Sequence, residues 1–127
     1  MILDLVKNKK SRIAVIGASK DESKYGYKIL KNLISKGYEV TPINPKKIII
    51  DGIESLPSVD EMSPPPDIID FVVPPEIAFS EVKKLHKGGY DNFWFQPGSE
   101  SAELVEYLKD TNVSYLIDEC IMTQTSL

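Results

Sequence analysis

The sequence predicts an α/β domain, a mostly parallel sheet with helices on both faces. Three observations carry this. Short, continuous apolar runs such as Ile13–Ile16 are bounded by polar or turn residues, as in strands buried on both faces. Segments of helical periodicity lie between those runs. The first strand–helix–strand unit closes within residues 12–43, the usual span of a βαβ crossover.

The elements follow in order. Residues 2–10 read as a short amphipathic helix with Ile2, Leu3, Leu5 and Val6 on its apolar side. From Tyr25 to Lys36, apolar residues at 25, 29, 30, 33 and 34 have helical spacing, and Gly37 is a natural stop. Tyr25 is thus a candidate core residue, whereas Tyr27 falls off the stripe. Tyr38–Ile43 is the second strand, and residues 48–53 read as a turn with a short strand. Pro57 suits the start of one or two helical turns, and the prolines of 64–66 block a helix there. Residues 67–73 form a buried-looking strand ended by Pro74-Pro75, and Pro75 suits the first turn of a helix over 75–87. That helix carries Ile77, Ala78, Val82 and Leu85 on one side and stops at Gly88-Gly89. Residues 91–95 are a strand with Phe93, Trp94 and Phe95 as core, and Ser99 is a candidate cap for the helix that runs to about Lys109. Residues 113–117 are the last strand, followed by a tail. The whole is one Rossmann-like domain, residues 1–127, with five or six mostly parallel strands.

Composition narrows the function. A chain of 127 residues is enough for one domain with a real core and too short for two. A net charge of −4 argues against a broad nucleic-acid surface, which needs a basic face. Lys20, Lys24, Lys28, Lys46 and Lys47 nonetheless gather near two of the turns. A single cysteine, Cys120, permits no intrachain disulfide. With a single histidine, His86, it cannot assemble the usual zinc ligand set within one chain. No apolar run approaches the ~20 residues that span a bilayer, and the first residues lack a signal-peptide pattern. The expectation is a cytoplasmic protein without metal, nucleic acid or membrane.

In such a sheet, ligands bind outside the carboxyl ends of the strands, where strand order reverses. The residues there are Gly17-Ala18-Ser19-Lys20, Asn44-Pro45-Lys46-Lys47, Val73-Pro74-Pro75 and the Gln96 turn. Gly17 allows close backbone approach, so a side chain at this position is expected to keep a phosphate away. Ser19 offers a hydroxyl, and amides near the helix start can hold phosphate oxygens. Gly26 lets phosphate or helix pack closely. If Gly17 is the first glycine of a dinucleotide fingerprint, Ser19 and Glu22 replace the other two, and Asn44 stands where the ribose acid is expected. A phosphate-friendly first turn and a base-rich second turn favour a nucleotide with an extra phosphate, and coenzyme A (CoA) is one. The 2′-phosphate of NADP would suit the same lysines. An NAD(P)-binding redox module therefore stays open, as does a non-catalytic assembly subunit with an empty pocket. Taken singly, Lys46 and Lys47 read as solvated charges and His86 as a surface or boundary residue. Asp118 and Glu119 are adjacent strand residues on opposite faces and poor partners for acid–base work.

Together, Gly17-Ala18-Ser19, Tyr25-Gly26, Asn44-Pro45, Val73-Pro74 and the Gln96 turn resemble the small stand-alone CoA-binding proteins. These are similar to the CoA-binding domain of the succinyl-CoA synthetase α subunit and of ADP-forming acyl-CoA synthetases. The resemblance covers roughly residues 10–120. It implies CoA or an acyl-CoA as ligand, with pyrophosphate on Gly17, Ala18, Ser19, Tyr25 and Gly26. It implies adenosine near Asn44 and Pro45, the 3′-phosphate near Lys46 and Lys47, and Val73, Pro74 and Pro75 closing over adenine. The catalytic histidine of the synthetases lies in a second domain, and His86 matches no such motif. The resemblance therefore implies a binding domain that is not catalytic alone, acting as a homo-oligomer or with a synthetase-type partner subunit. It also places Cys120 on the ligand edge of the sheet, where a thiol could form a mixed disulfide with CoA; Asp118 and Glu119 would blunt its reactivity.

Overall fold

A computed structural model describes residues 2–125. The chain runs α1 (Ile2–Lys7), β1 (Arg12–Ile16), α2 (Tyr25–Ser35), β2 (Glu39–Ile43), β3 (Ile49–Ile50) and β4 (Ile53–Glu54). A 3-10 turn at Val59–Glu61 precedes β5 (Ile68–Phe71), α3 (Pro75–Lys87), β6 (Asn92–Phe95), α4 (Ala102–Lys109), β7 (Ser114–Leu116) and α5 (Ile121–Gln124). Five strands form one parallel sheet in the order β2-β1-β5-β6-β7, and β3 and β4 pair separately as an antiparallel hairpin.

Side-chain alternation splits the core into two layers. Ile13, Val15, Ile68 and Trp94 face a layer covered by Ile2 and Val6 of α1, Ile29 and Leu33 of α2, and Ile121 of α5. Ala14, Ile16, Ile69, Phe71, Phe93 and Phe95 face α3 and α4, through Ala78, Val82, Leu104 and Leu108. The rings of Phe71 and Phe95 stack at 4.8 Å between centroids. Helices thus cover both faces, as a parallel sheet requires.

From β1 the chain moves outward to β2, then crosses back to place β5 on the other side of β1. Strand order reverses between β1 and β5. The crevice outside their carboxyl ends is where a doubly wound sheet receives its ligand. It is walled here by the Gly17 turn and by Val72–Pro74.

Several local expectations differ from the structure. Tyr25 lies on the periodic stripe but is 64% exposed, because the first turn of α2 overhangs the end of the sheet. Ile77 is 47% exposed, and Ala78, Val82 and Leu85 alone carry the buried face of α3. Ser99 does not cap α4. Ser101 does, its hydroxyl accepting from the amide of Leu104 at 3.2 Å. The segment after β7 contains α5, which packs against α1 and α2.

Candidate functional site

Two groups of predicted residues meet at the carboxyl edge of the sheet. The first joins the turns after β1 and β2. Asn44 Nδ2 donates to the carbonyl oxygen of Ala18 at 3.0 Å, and Asn44 Oδ1 accepts from the amide of Lys46 at 2.9 Å. The amide of Gly17 donates to the carbonyl of Ile43 at 3.3 Å. Among the described residues no carbonyl accepts the amides of Ala18, Ser19 or Lys20. The first-turn amides of α2 at Tyr25 and Gly26 are likewise unpaired there. Unpaired amides at a helix start favour an anion. Lys20 and Lys46 are exposed nearby, and the ammonium of Lys28 lies 5.5 Å from the ring centre of Tyr25.

The two glycines serve the scaffold before any ligand. Gly17 has φ +99°, and a Cβ there would stand 2.2 Å from the carbonyl oxygen of Val72. A Cβ on Gly26 would stand 2.1 Å from the carbonyl oxygen of Gly17. A side chain at Gly17 therefore strikes the β5 turn before any ligand is considered. The two glycines let the β1 turn, the β5 turn and α2 touch backbone to backbone.

The second group forms a cavity of ≈ 330 Å³. Predicted residues Tyr25, Val73, Pro74 and Gln96 line it, and so do Val72 and Cys120. Gln96 is buried and spans from β6 to α5. Its Nε2 donates to Cys120 Sγ at 3.2 Å, and its Oε1 accepts from the amide of Ile121 at 3.0 Å. Ser99, read from sequence as a cap, instead accepts from the amide of Val73 at 3.2 Å and pins the Val-Pro turn. Pro75 does not reach this cavity. It occupies the first position of α3 and lines the groove between α3 and α4. Pro45 is exposed at the β2 turn.

The hairpin β3–β4 is fastened to α2. Tyr27 Oη donates to Asp51 Oδ2 at 2.6 Å, and Lys31 Nζ lies 3.1 Å from the same oxygen. The Asp51 carboxylate pushes the Tyr27 phenol up to about 12, and the two donors hold Asp51 below its usual range. Asp21 is also held low by the Ser23 hydroxyl and amide. His86 is half-buried against the Tyr107 hydroxyl at 3.1 Å, away from both groups. Among the described residues no three His, Cys, Asp or Glu side chains converge as a metal site would need, and no helix is long and apolar enough to cross a membrane.

Sequence reasoning passed over one residue. Asp70 lies in the middle of β5, fully buried, with neither carboxyl oxygen hydrogen-bonded. Its signal was an acid inside an otherwise apolar strand, Ile68-Ile69-Asp70-Phe71.

Proteins of the same fold and of related sequence are known. The fold matches a solved structure of a conserved hypothetical protein from Pyrococcus furiosus with a TM-score of 0.85 and 43% identity, over 91% of this chain and 99% of that one. The chain is 27% identical over 110 residues to the uncharacterised protein YneT of Bacillus subtilis, covering 87% of this chain and 82% of that protein. It is also 39% identical over 77 residues to the ADP-forming acetate–CoA ligase of Methanocaldococcus jannaschii, covering 61% of this chain and only 11% of the ligase. A family profile described as CoA binding domain matches residues 11–126, and the chain belongs to that family.

Proposed function

We propose that this domain binds coenzyme A or an acyl-CoA across the β1–β5 crevice and works as a binding unit rather than as a catalyst alone. The pyrophosphate sits on the amides of Ala18, Ser19 and the first turn of α2. Lys46, with Lys47, meets the 3′-phosphate. Val73 and Pro74 close over the adenine, and the Gln96–Cys120 end of the same cavity takes the pantetheine arm. The likeness to an acetate–CoA ligase supports a further reading, that the loaded domain serves a synthetase-type partner.

The observation that carries this reading is the Asn44–Ala18 hydrogen bond. At the position where dinucleotide enzymes use an acid for the ribose, this chain has an amide already committed to its own first turn. That bond braces a loop of unpaired amides, and lysines stand beside it. Family membership makes CoA the ligand to test first. Isothermal titration with CoA and dephospho-CoA tests the proposal. Tighter binding of CoA is expected, and equal binding of the two would remove the lysine turn from the site.

A further inference from the structure

Six polar or charged side chains are buried among the described residues. Five have partners. Ser11 donates to the Leu5 carbonyl, Ser55 accepts from the Ile48 amide, and Ser99 and Gln96 are bonded as described above. Thr125 bonds the Ile121 carbonyl. The sixth is Asp70, 0% exposed, with both carboxyl oxygens unpartnered; among the described residues the other buried side-chain oxygen without a partner is Oδ1 of the half-buried Asn32 of α2. An unpaired acid in a core costs stability, and any neutral strand residue would avoid that cost. A stability role does not explain it.

Its position does point to a role. Asp70 is in register with Val15 of β1 and Trp94 of β6. Side chains alternate along a strand, so Asp70 shares a face with Val72, and Trp94 shares that face with Gln96. Val72 and Gln96 line the cavity. The carboxyl therefore lies one residue layer beneath the cavity wall, on the α1–α2–α5 side. The elements over this face turn apolar groups toward it: Ile2 and Val6, Ile29 and Leu33, and Ile121. Their charged groups lie elsewhere. Asp4, Lys7, Lys28, Asp118 and Glu119 are exposed, and Tyr27 and Lys31 are engaged with Asp51. The Tyr38 hydroxyl donates to the Val6 carbonyl, and the Cys120 thiol accepts from Gln96. Burial alone thus holds the Asp70 carboxyl well above its usual range.

We propose, building on the assignment of the cavity to the ligand, that Asp70 links ligand binding to protons: the neutral acid stays buried while the cavity wall is closed, and loss of its proton to water parts that wall from β5 and weakens binding. The carboxylate needs water, and the cavity one layer above it, lined by Tyr25 at the start of α2 and Cys120 before the short α5, is an opening on its own face of the sheet. Closing the wall around a ligand then takes up one proton, and affinity falls with rising pH.

Two readouts test the device without a ligand. In the infrared, the wild type at neutral pH shows the carbonyl stretch of a protonated carboxylic acid, and Asp70→Asn lacks it. Alkylation of Cys120, which lines the same wall, is measured from about pH 5 to about pH 9 in both proteins. The ratio of wild-type to variant rate cancels the thiol's own ionisation and rises with pH if the wall parts. A flat ratio, or no band difference, overturns the proposal. Asp70→Val, also neutral, gives the same comparison if the asparagine variant does not fold. CoA affinity is then followed over the same range. The wild type weakens by up to about tenfold per pH unit once Asp70 titrates, while the variant shows no such slope. A rising labelling ratio without CoA binding at any pH leaves the gate standing and overturns the assignment of the ligand.

Discussion

The side-chain amide of Asn44 donates to the carbonyl of Ala18 at 3.0 Å and so joins the turn after β2 to the turn after β1. The same side chain accepts from the amide of Lys46 at 2.9 Å, which sets the lysine turn against the first turn. One residue thereby aligns an unpaired-amide loop with a basic loop. Asn44→Ala removes both bonds. It should destabilise the fold by about 1–2 kcal/mol in urea titration and weaken CoA binding by roughly tenfold. Unchanged affinity would mean that the first turn keeps its shape without Asn44.

Gly26 sets the closest helix-to-turn contact of the site. Its absent Cβ leaves room for the Gly17 carbonyl, which would otherwise stand at 2.1 Å. The obstructing atom is backbone and cannot rotate away. Gly26→Ala should cost about 3 kcal/mol, seen as a lower midpoint in thermal unfolding, although alanine favours helix elsewhere.

Lys46 is exposed, so its contribution is screened by water and salt. Lys46→Ala should weaken CoA by about fivefold at low ionic strength, ~1 kcal/mol, and leave dephospho-CoA unchanged. Paired calorimetric titrations of the two ligands check this. An equal loss for both would move Lys46 from the 3′-phosphate to the pyrophosphate.

Asp70 makes a signed prediction about stability. Its folded carboxyl binds its proton more tightly than an unfolded aspartate does. Its stabilisation of the fold is complete below the unfolded value near 3.8 and is lost as pH rises through the raised folded value. At neutral pH the residue is therefore a net cost. Asp70→Val should raise stability by about 1–3 kcal/mol at pH 7, and the gain should shrink toward acid pH. Denaturant titrations at several pH values read both effects.

The fold was legible because its strong signals are local. Continuous apolar runs marked the strands, and Pro75 with Gly88 marked both ends of α3. The turns at Gly17, Asn44, Val73 and Gln96 were visible as breaks between periodic segments. The rest depended on packing between distant residues. Ser99 and Ser101 are both good caps by type, and only contact with Val73 decides between them. Tyr25 follows the helical period, yet the helix overruns the sheet there, which periodicity cannot register. The four residues of α5 are too few to show a period, and packing against α1 and α2 makes them helical. Asp70 was readable as an odd acid in an apolar strand, but its lack of any partner is a property of three dimensions.

The proposed site joins the turns at Gly17 and Asn44 to the Val73–Gln96 cavity around a 3′-phosphorylated nucleotide thiol. Native mass spectrometry of the purified protein, followed by parallel thermal-shift titrations with CoA, dephospho-CoA, NAD and NADPH, is the decisive test. A co-purifying CoA mass is expected, or a shift that is largest with CoA and smaller with dephospho-CoA. A larger shift with NADPH than with CoA, or no shift with any of the four in protein that carries no CoA mass, would sink the proposal.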